Sequence, residues 1–400
     1  MARSSSSAAP WRALPAGVWA LGFGSLFMDM SSELIHSLLP VLMSTVLGAS
    51  MLTIGFVEGV AEATAAITKV FSGALSDHLG KRKVLVVLGY GLAAVTKPIF
   101  PLATSVAWVF GARFVDRVGK GIRGAPRDAL VADLTPAHLR GAAYGLRQAL
   151  DSVGAVLGPL LALVLMAVFA GDIAAVMWVA VVPAVVTVAL LVVVVREPDG
   201  SDRPAGARAP ASGAEVLRLP VRYWLVVLLG AVFTLARFSE AFLVLRAQDV
   251  GLAVAYVPLV LIVMNVAYAG MAYPAGAAAD RVSRRALLLL GLALLIAADA
   301  ALAAARAPWL AFVGAALWGL HMAFTQGLFA KLVADTAPAE LRGTGFGIFN
   351  LVSGGALLLA SVLAGWFWST LGAPATFVAG AAFSAVAAAG LLAYRPGPPS

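Results

Sequence analysis

The chain alternates long apolar stretches with short polar ones. A hydrocarbon core ~30 Å thick requires about 20 residues of helix to cross it. Twelve stretches satisfy this length, and they cover approximately residues 14–43, 51–76, 83–103, 105–127, 139–169, 173–195, 222–246, 253–278, 285–304, 308–332, 341–370 and 373–394. The pattern therefore predicts an all-α membrane protein with twelve transmembrane helices.

One segment of the sequence occurs twice. Residues 130–141 (LVADLTPAHLRG) return as residues 332–343 (LVADTAPAELRG), 202 positions later. The stretch 73–77 likewise has a degenerate copy at 276–280. Duplicated halves in a hydrophobic chain are typical of secondary transporters, whose substrate site lies between the halves. We therefore expect two pseudo-symmetric six-helix bundles.

A polar stretch rich in Pro, Gly and Arg separates the two copies, and its composition is typical of a linker. The predicted organisation is a tail over residues 1–13, a bundle over 14–195, a linker over 196–221, a second bundle over 222–394 and a tail over 395–400.

Composition supports the membrane assignment and excludes several functions. Hydrophobic residues make up 61% of the chain and charged residues 12%, whereas globular proteins have about 25% charged residues. The chain has no cysteine and only four histidines, none of them paired at metal-ligand spacing. We therefore predict no metal, no cofactor and no enzymatic activity.

The net charge of +8 would suggest a nucleic-acid partner in a soluble protein. Here the basic residues concentrate on one side of the predicted membrane. The loops of that side hold Lys81, Arg82, Lys83, Arg140, Arg196, Arg203, Arg208, Arg218, Arg222, Arg281, Arg284, Arg285 and Arg342, against Arg246 and Arg306 on the other. Because cytoplasmic loops are enriched in Lys and Arg, both termini and the linker are predicted to be cytoplasmic. The Arg, Ala and Gly bias suggests a bacterial inner membrane, and we expect a monomer.

Charged residues inside the apolar segments mark the candidate site, because each costs at least ~2.5–3.5 kcal/mol to insert at the membrane centre. The acids are Asp29, Glu33, Glu58, Glu62, Asp116, Asp151, Glu240 and Asp299, and the bases are Lys69, Lys97, Arg113, Arg117, Arg147 and Arg237. Asp29, Glu33, Asp116 and Asp151 are the candidates for carrying a proton. Asp299, late in its segment, is expected to be peripheral.

Not every internal charge is expected at the cavity. Our candidates for proton coupling or for lining the cavity are Asp29, Glu33, Glu62, Asp116, Asp151, Arg113, Arg117, Arg147, Arg237 and Glu240. Among them, Glu33 follows Ser32 as Glu240 follows Ser239 in the other half, so a pair of related carboxylates would face a central cavity. For any one acid, the alternative is a permanent ion pair that locks two helices.

The loop after the second segment carries Gly73, Asp77, Gly80, Lys81 and Arg82. It resembles the diagnostic loop of the major facilitator superfamily, with His78 where arginine is usual. A degenerate second copy contains Gly276, Asp280 and Arg281. The resemblance extends over the whole chain, and it implies that Asp77 faces the start of the eleventh segment as part of a cytoplasmic gate. The alternative is a basic loop that only sets the topology.

The fifth segment contains Gly145, Gly154, Gly158 and Pro159. This spacing resembles a motif of the superfamily's proton antiporters, although ordinary packing of small residues is the alternative. In the fourth segment, either Arg117 or Arg113 matches the arginine that the family links to proton transfer. Together with residues 29–33, these features resemble a poorly characterised branch of bacterial and archaeal permeases.

The sequence therefore predicts a secondary transporter that works by alternating access. A proton-coupled exporter of small molecules is favoured, with an importer that acts as a proton symporter, or a lipid flippase, as alternatives. A membrane-embedded enzyme has no supporting motif, and a non-transporting receptor is the remaining alternative. The expected partners are a small-molecule substrate, protons and the lipid bilayer, without nucleic acid.

Overall fold

The structure, a computed structural model, describes residues 13–79, 81–197, 219–279, 282–325, 332–333, 335–338 and 341–393. Every regular element among these residues is helical. The α-helices, numbered in chain order, are α1 Ala16–Val41, α2 Met51–Leu79, α3 Arg82–Thr96, α4 Val106–Leu134, α5 Arg140–Val168, α6 Ile173–Val179, α7 Val181–Val194, α8 Val221–Leu235, α9 Ala241–Asp249, α10 Pro258–Ala279, α11 Arg284–Ala304, α12 Pro308–Thr325, α13 Arg342–Leu371 and α14 Ala373–Ala393. A π-helical turn, Leu42–Val46, extends α1, and 3₁₀ turns cover Lys97–Ile99, Ala137–Leu139 and Val254–Tyr256.

Nine helical stretches of the described residues are long and apolar enough to cross a membrane. The remaining predicted segments are also helical. However, α3 and α8 have only 15 residues each, and α4 is rich in charged residues. The prediction of an all-α membrane fold is therefore confirmed, whereas the count of twelve crossings stays a prediction. The predicted tails and most of the predicted linker lie outside the described residues.

Prolines explain two differences from the predicted segments. The predicted segment 83–103 is longer than the helix that the structure shows. Helix α3 ends at Thr96, and Pro98 lies in a 3₁₀ turn. The segment 173–195 is interrupted at Ala180, where Pro183 lacks the N–H that would continue the helical ladder. By contrast, α4 runs through Pro126 to Leu134, beyond the predicted end at residue 127.

The segment 222–246 was predicted to be one helix, and the structure contradicts this. Helix α8 ends at Leu235 and α9 begins at Ala241, so residues 236–240 form a break in the middle of the segment. Ser239 stabilises the break. Its backbone N–H donates to Ser361 Oγ at 3.2 Å, and its Oγ accepts from the N–H of Ala241 at 3.3 Å. Serine is favoured before a helix start because it can satisfy such exposed N–H groups.

Successive helical segments alternate in direction, so α1 begins and α14 ends on the same side of the bundle. We call this side the terminal face and the opposite side, which contains the turn at residues 47–50, the far face. Consistent with this arrangement, Gly365 near the end of α13 packs against Met51 at the start of α2. The last turn of α4 likewise packs beside the first turn of α1, through Leu134 and Gly17.

The hydrophobic core joins the two halves of the chain on the far face. One cluster of buried residues combines Leu38 and Ile54 of the first half with Phe242, Leu245 and Ala364 of the second. On the terminal face the clusters separate by half. One contains Leu14, Val18, Leu130 and Val195, and another contains Leu219, Tyr223, Val333 and Ala337. The halves are therefore sealed together on the far face by apolar contact.

The duplicated segment has the same structural role in both halves. Asp133 of the first copy pairs with Arg82, at 2.6 Å between Oδ2 and Nη1. Asp335 of the second copy pairs with Arg284. Each arginine lies at the start of the helix that follows the basic loop, and both pairs are related by the 202-residue offset of the repeat. The duplicated segment thus ties the end of a helical hairpin to the start of the same hairpin on the terminal face.

Candidate substrate cavity

A cavity of about 290 Å³ lies between the two halves. Its walls come from α1, α2 and α4 of the first half and from α8, the break at 236–240 and α13 of the second. The lining residues are Glu33, His36, Glu62, Arg117, Lys120, Phe233, Thr234, Arg237, Phe238, Ser239, Glu240 and Leu357. Transporters often build their substrate sites from interrupted helices, whose backbone is free to contact a ligand.

Helices α2 and α4 face each other through matched rows of opposite charge. Glu58 and Glu62 lie one turn apart on α2, as Arg113 and Arg117 do on α4. Arg113 binds Glu58 with two hydrogen bonds, of 2.7 Å from Nη2 to Oε2 and 3.3 Å from Nε to Oε1. Arg117 Nη2 lies 2.9 Å from Glu62 Oε1. The inner pair is fully buried, whereas the outer pair lines the cavity.

His36 and Ser239 connect this ion-pair row to α1 and to the second half. His36 Nε2 lies 3.5 Å from Glu58 Oε2, and its Nδ1 lies 3.5 Å from Glu33 Oε2. Ser239 Oγ donates to Glu58 Oε2 at 3.4 Å. The buried carboxylate of Glu58 thus contacts α1, α4 and the break in the second half.

Lys97 and Asp116 form a second buried ion pair, which does not line the cavity. Lys97 Nζ lies 2.9 Å from Asp116 Oδ1 and donates to Ser32 Oγ, also at 2.9 Å. The pair fastens the end of α3 to α4 and α1, so Asp116 acts as part of a permanent ion pair that locks helices.

Three charged side chains of the cavity have no partner among the described residues. Lys120, Arg237 and Glu240 line the space, and their side chains form no hydrogen bond or ion pair within the described part of the chain. Charged groups that are not satisfied by the protein can bind charged groups of a ligand. The cavity therefore offers two cations and one carboxylate.

The predicted candidates separate into two groups. Glu33, Glu62, Arg117, Arg237 and Glu240 line the cavity. The others do not: Arg113 and Asp116 are buried in the pairs described above, and Arg147 binds Asp151 at 2.5 Å on α5. Asp29 lies half-buried beside Gly154, also away from the cavity.

Two residues that line the cavity, His36 and Lys120, are not among the predicted candidates, although Lys120 continues the helical spacing of Arg113 and Arg117. Glu58 and Lys97 were predicted as internal charges but not as cavity residues, and neither lines the cavity. Asp299, expected to be peripheral, is fully buried. It does not line the cavity.

The fifth-segment motif packs α5 against α1. A Cβ on Gly154 would lie 2.5 Å from the carbonyl oxygen of Leu26, and one on Gly158 would lie 2.7 Å from Glu33 Cβ. These distances are too short for any larger residue, so both glycines permit the close approach. Gly145 has no such neighbour. Pro159 lies inside the helix and is buried.

The gating loop is only partly described. Gly73 packs near Ala125 Cβ, Lys81 is exposed and Arg82 pairs with Asp133. Gly80, Asp280 and Arg281 lie outside the described residues, as does the side chain of Asp77. Gly276 is exposed with open space around it. The predicted contact of Asp77 with the start of α13 stays a prediction.

Comparisons with known proteins agree with this architecture. The sequence profile of the Major Facilitator Superfamily matches residues 21–246 and 240–400. An uncharacterised MFS-type transporter of Methanocaldococcus jannaschii, MJ1317, is 33% identical over 365 residues, which cover 89% of both chains. The chain belongs to the Major Facilitator Superfamily, and it is a multi-pass membrane transporter of that type.

Two further likenesses are more limited. The multidrug resistance protein MdtH of Photorhabdus laumondii is 30% identical over 145 residues, 36% of each chain. The crystal structure of the nucleoside transporter NupG (D323A mutant) superposes with a TM-score of 0.78 at 13% identity, covering 94% of this chain and 99% of that one. The second likeness concerns the fold alone.

Proposed function

We propose that the protein exports a small molecule bearing both a positive and a negative group, in exchange for protons, by alternating access between its halves. The observation that carries this proposal is the cavity, where Lys120, Arg237 and Glu240 form no direct ion pair or hydrogen bond with the described residues. The two cations suit a carboxylate or phosphate of the substrate, and Glu240 suits its ammonium group. The volume of about 290 Å³ favours a small polar molecule over a lipid, so the flippase alternative has less support.

Export is supported by two features of the chain. Gly154 and Gly158 bring α5 against α1 in a motif that resembles that of proton antiporters. The partial likeness to MdtH, whose name describes a multidrug resistance protein, points the same way. A symporter could use the same scaffold, and it is distinguished by the direction of substrate movement relative to the proton gradient.

Glu33 is the proton carrier that we propose. Of the four predicted acids it alone lines the cavity, whereas Asp116 is held by Lys97 and Asp151 by Arg147. Its carboxylate is 3.5 Å from His36 Nδ1, so a proton and a substrate would compete for the same region. Because Glu33 also packs against Gly158, protonation would act directly on the contact between α1 and α5.

The access pathway follows from the core. The far face is sealed by the apolar cluster common to both halves, whereas the buried clusters of the terminal face are separate and the halves touch there between α2 and α13, at Val70 and Gly347. With the terminal face on the cytoplasmic side, as its basic loops predict, this conformation would load substrate from the cytoplasm.

The test begins with thermal stabilisation of the purified protein by amino-acid-like zwitterions, each compared with its methyl ester and its N-acetyl derivative. We expect stabilisation by compounds that keep both charges and loss of the effect in Arg237→Gln and Glu240→Gln. Arg306→Gln, an exposed arginine on the far face, is the matched control. Equal stabilisation by the neutralised derivatives would contradict the substrate class.

Coupling is tested in proteoliposomes with a stabilising compound. The wild type should drive uphill transport when a pH gradient is imposed, and Glu33→Gln should retain downhill exchange but lose the uphill flux. Asp249→Asn, an exposed acid on the far face, should behave as the wild type. Accumulation in the same direction as proton flow would favour the symporter, and full uphill flux in Glu33→Gln would reject Glu33 as the carrier.

A further inference from the structure

A carboxyl group is buried without a partner in the second half, away from the cavity. Asp299 on α11 has no exposed surface, and neither of its side-chain oxygens forms a hydrogen bond with any described residue. It lies where α11 contacts α14: a Cβ on Gly380 would be 2.8 Å from Asp299 Oδ2 and 3.0 Å from Phe238 Cε1. The glycine therefore makes room for the carboxyl group, and Phe238 lies beside it.

The surroundings of Asp299 are apolar and aromatic. Phe238 contacts Trp318 and Phe377, with ring centroids 5.3 and 5.6 Å apart. Both of these partners are fully buried. Two other polar atoms of this region also lack a partner among the described residues, Trp318 Nε1 and Ser384 Oγ one turn from Gly380.

Charged groups on the adjacent elements are engaged elsewhere or distant. On α11 itself, Arg284 and Arg285 lie at the other end of the helix. On α9, Arg246 binds the carbonyl oxygens of Leu302 and Ala305, and also Asp249. These contacts hold its guanidinium at the far-face end of α11.

Among the described residues, the remaining neighbouring elements give no counter-ion. On α12 the titratable residue is His321, whose Nδ1 is 2.8 Å from Gly291 O, about two turns from Asp299. Helix α14 has no charged residue between Ala373 and Ala393. In the break, Arg237 and Glu240 line the cavity.

An ionised carboxylate in such a place is disfavoured, because burying a charge without a counter-ion or hydrogen bonds is very costly. We infer that Asp299 is a proton-binding site of the second half, separate from the substrate cavity and closed off from it by Phe238. In this conformation the group is the neutral acid.

Phe238 connects this site to the transport cycle. The ring lines the cavity and also lies against the Asp299 pocket, and it belongs to the break between α8 and α9, where the backbone is not held by a helical ladder. When the break moves, water from the cavity reaches Asp299. The O–H bond then breaks, the proton passes to this water and the electron pair stays on the carboxylate oxygen.

Proton binding at Asp299 and closure by Phe238 are therefore linked. Since the proton binds only the closed form, it stabilises that form, and opening favours release. The site acts on the conformational equilibrium whatever the substrate and whichever direction it moves, so it does not depend on the proposed function. A metal cation fits less well, because the aromatic side chains around Asp299 supply no oxygen ligands and Ser384 Oγ would add a single neutral one.

Infrared spectroscopy of the purified protein tests the assignment. At alkaline pH the wild type should show the carbonyl stretching band of a protonated carboxyl group, and this band should be lost in Asp299→Asn and in Asp299→Leu. Two variants are used so that a folding defect of one leaves the other, with folding checked by circular dichroism. Glu240→Gln, which removes a cavity acid, should keep the band.

The role of Phe238 is tested by the same band. In Phe238→Ala, water reaches the pocket, so the band should disappear at a lower pH than in the wild type. A spectrum that is identical in the wild type and both Asp299 variants would overturn the proposal. Loss of the wild-type band on adding sodium ions at constant pH would show a metal-cation site and overturn it as well.

Discussion

Gly55 on α2 lies against the backbone of Ser361 on α13, so closely that a Cβ at residue 55 would stand 2.2 Å from the Ser361 carbonyl oxygen. The contact joins the two halves near the far face. Ser361 also accepts a hydrogen bond from the backbone of Ser239. One residue of α13 therefore supports both the far-face seal and the break that contributes to the cavity.

Gly55→Ala should weaken this seal. Because the methyl group would overlap a backbone atom that cannot rotate away, α2 and α13 must separate, at a cost of ~1–3 kcal/mol to the closed far face. A spin-label pair at Ser50→Cys and Ser369→Cys should then report a longer distance in Gly55→Ala. Gly111→Ala, where the new methyl has open space, is the control. Unchanged distances in both variants would show that the seal does not depend on this contact.

Removing one partner of the buried ion pair between Glu58 and Arg113 should lower the free energy of unfolding strongly. Arg113→Met leaves the fully buried carboxylate without its main counter-ion, and we expect a loss of ~3–5 kcal/mol in the free energy of unfolding. The double variant Glu58→Met, Arg113→Met should recover most of this loss. Thermal unfolding in detergent measures the difference, with Arg306→Met as an exposed control. Additive losses in the double variant would argue against direct coupling.

Asp77→Asn tests the predicted gate. If Asp77 contacts the start of α13 only when the terminal face is closed, the contact stabilises that state by its own free energy. Losing ~1–2 kcal/mol would change the ratio of states by roughly 5–30-fold in favour of the open terminal face. Labels at Leu75→Cys and Thr344→Cys should show the shift, with slower turnover and little change in substrate affinity. An unaltered distance distribution with normal transport would leave the loop as a topogenic signal.

The orientation of the protein can be tested directly because the chain has no cysteine. His138 is exposed on the terminal face and Ser105 on the far face. A cysteine at His138 should react with a membrane-impermeant reagent only after the cells are opened, whereas one at Ser105 should react in intact cells. The reverse pattern would place the basic loops outside and contradict the predicted topology.

The sequence predicted helix positions well where an apolar run alone decides them. The segments 51–76 and 341–370 correspond to α2 and α13 within a few residues. The break at 236–240 was missed because it contains neither proline nor glycine. It depends on Ser239 meeting Ser361, a contact between residues 122 positions apart.

The candidate site was predicted by residue type better than by partner. An internal charge is visible in a sequence, but its partner depends on how each helix is rotated. Glu62 and Arg117 were both predicted, yet nothing in the chain indicated that they pair, or that Asp116 turns away from the cavity towards Lys97. Asp299, which was expected to be peripheral, does not line the cavity, but position along the segment gave no sign that it is fully buried against Gly380 of a neighbouring helix.

The shared far-face core has a consequence for how the protein is made. Leu38 and Ile54 are buried in one cluster with residues that come 188 to 326 positions later, such as Phe242 and Ala364. The first bundle emerging from the ribosome would thus present an unfinished apolar surface until the second is inserted. The assembly of the two halves and their later movement relative to each other would depend on the same surface. A chain shortened after the first bundle should therefore be degraded and should not accumulate as a stable half.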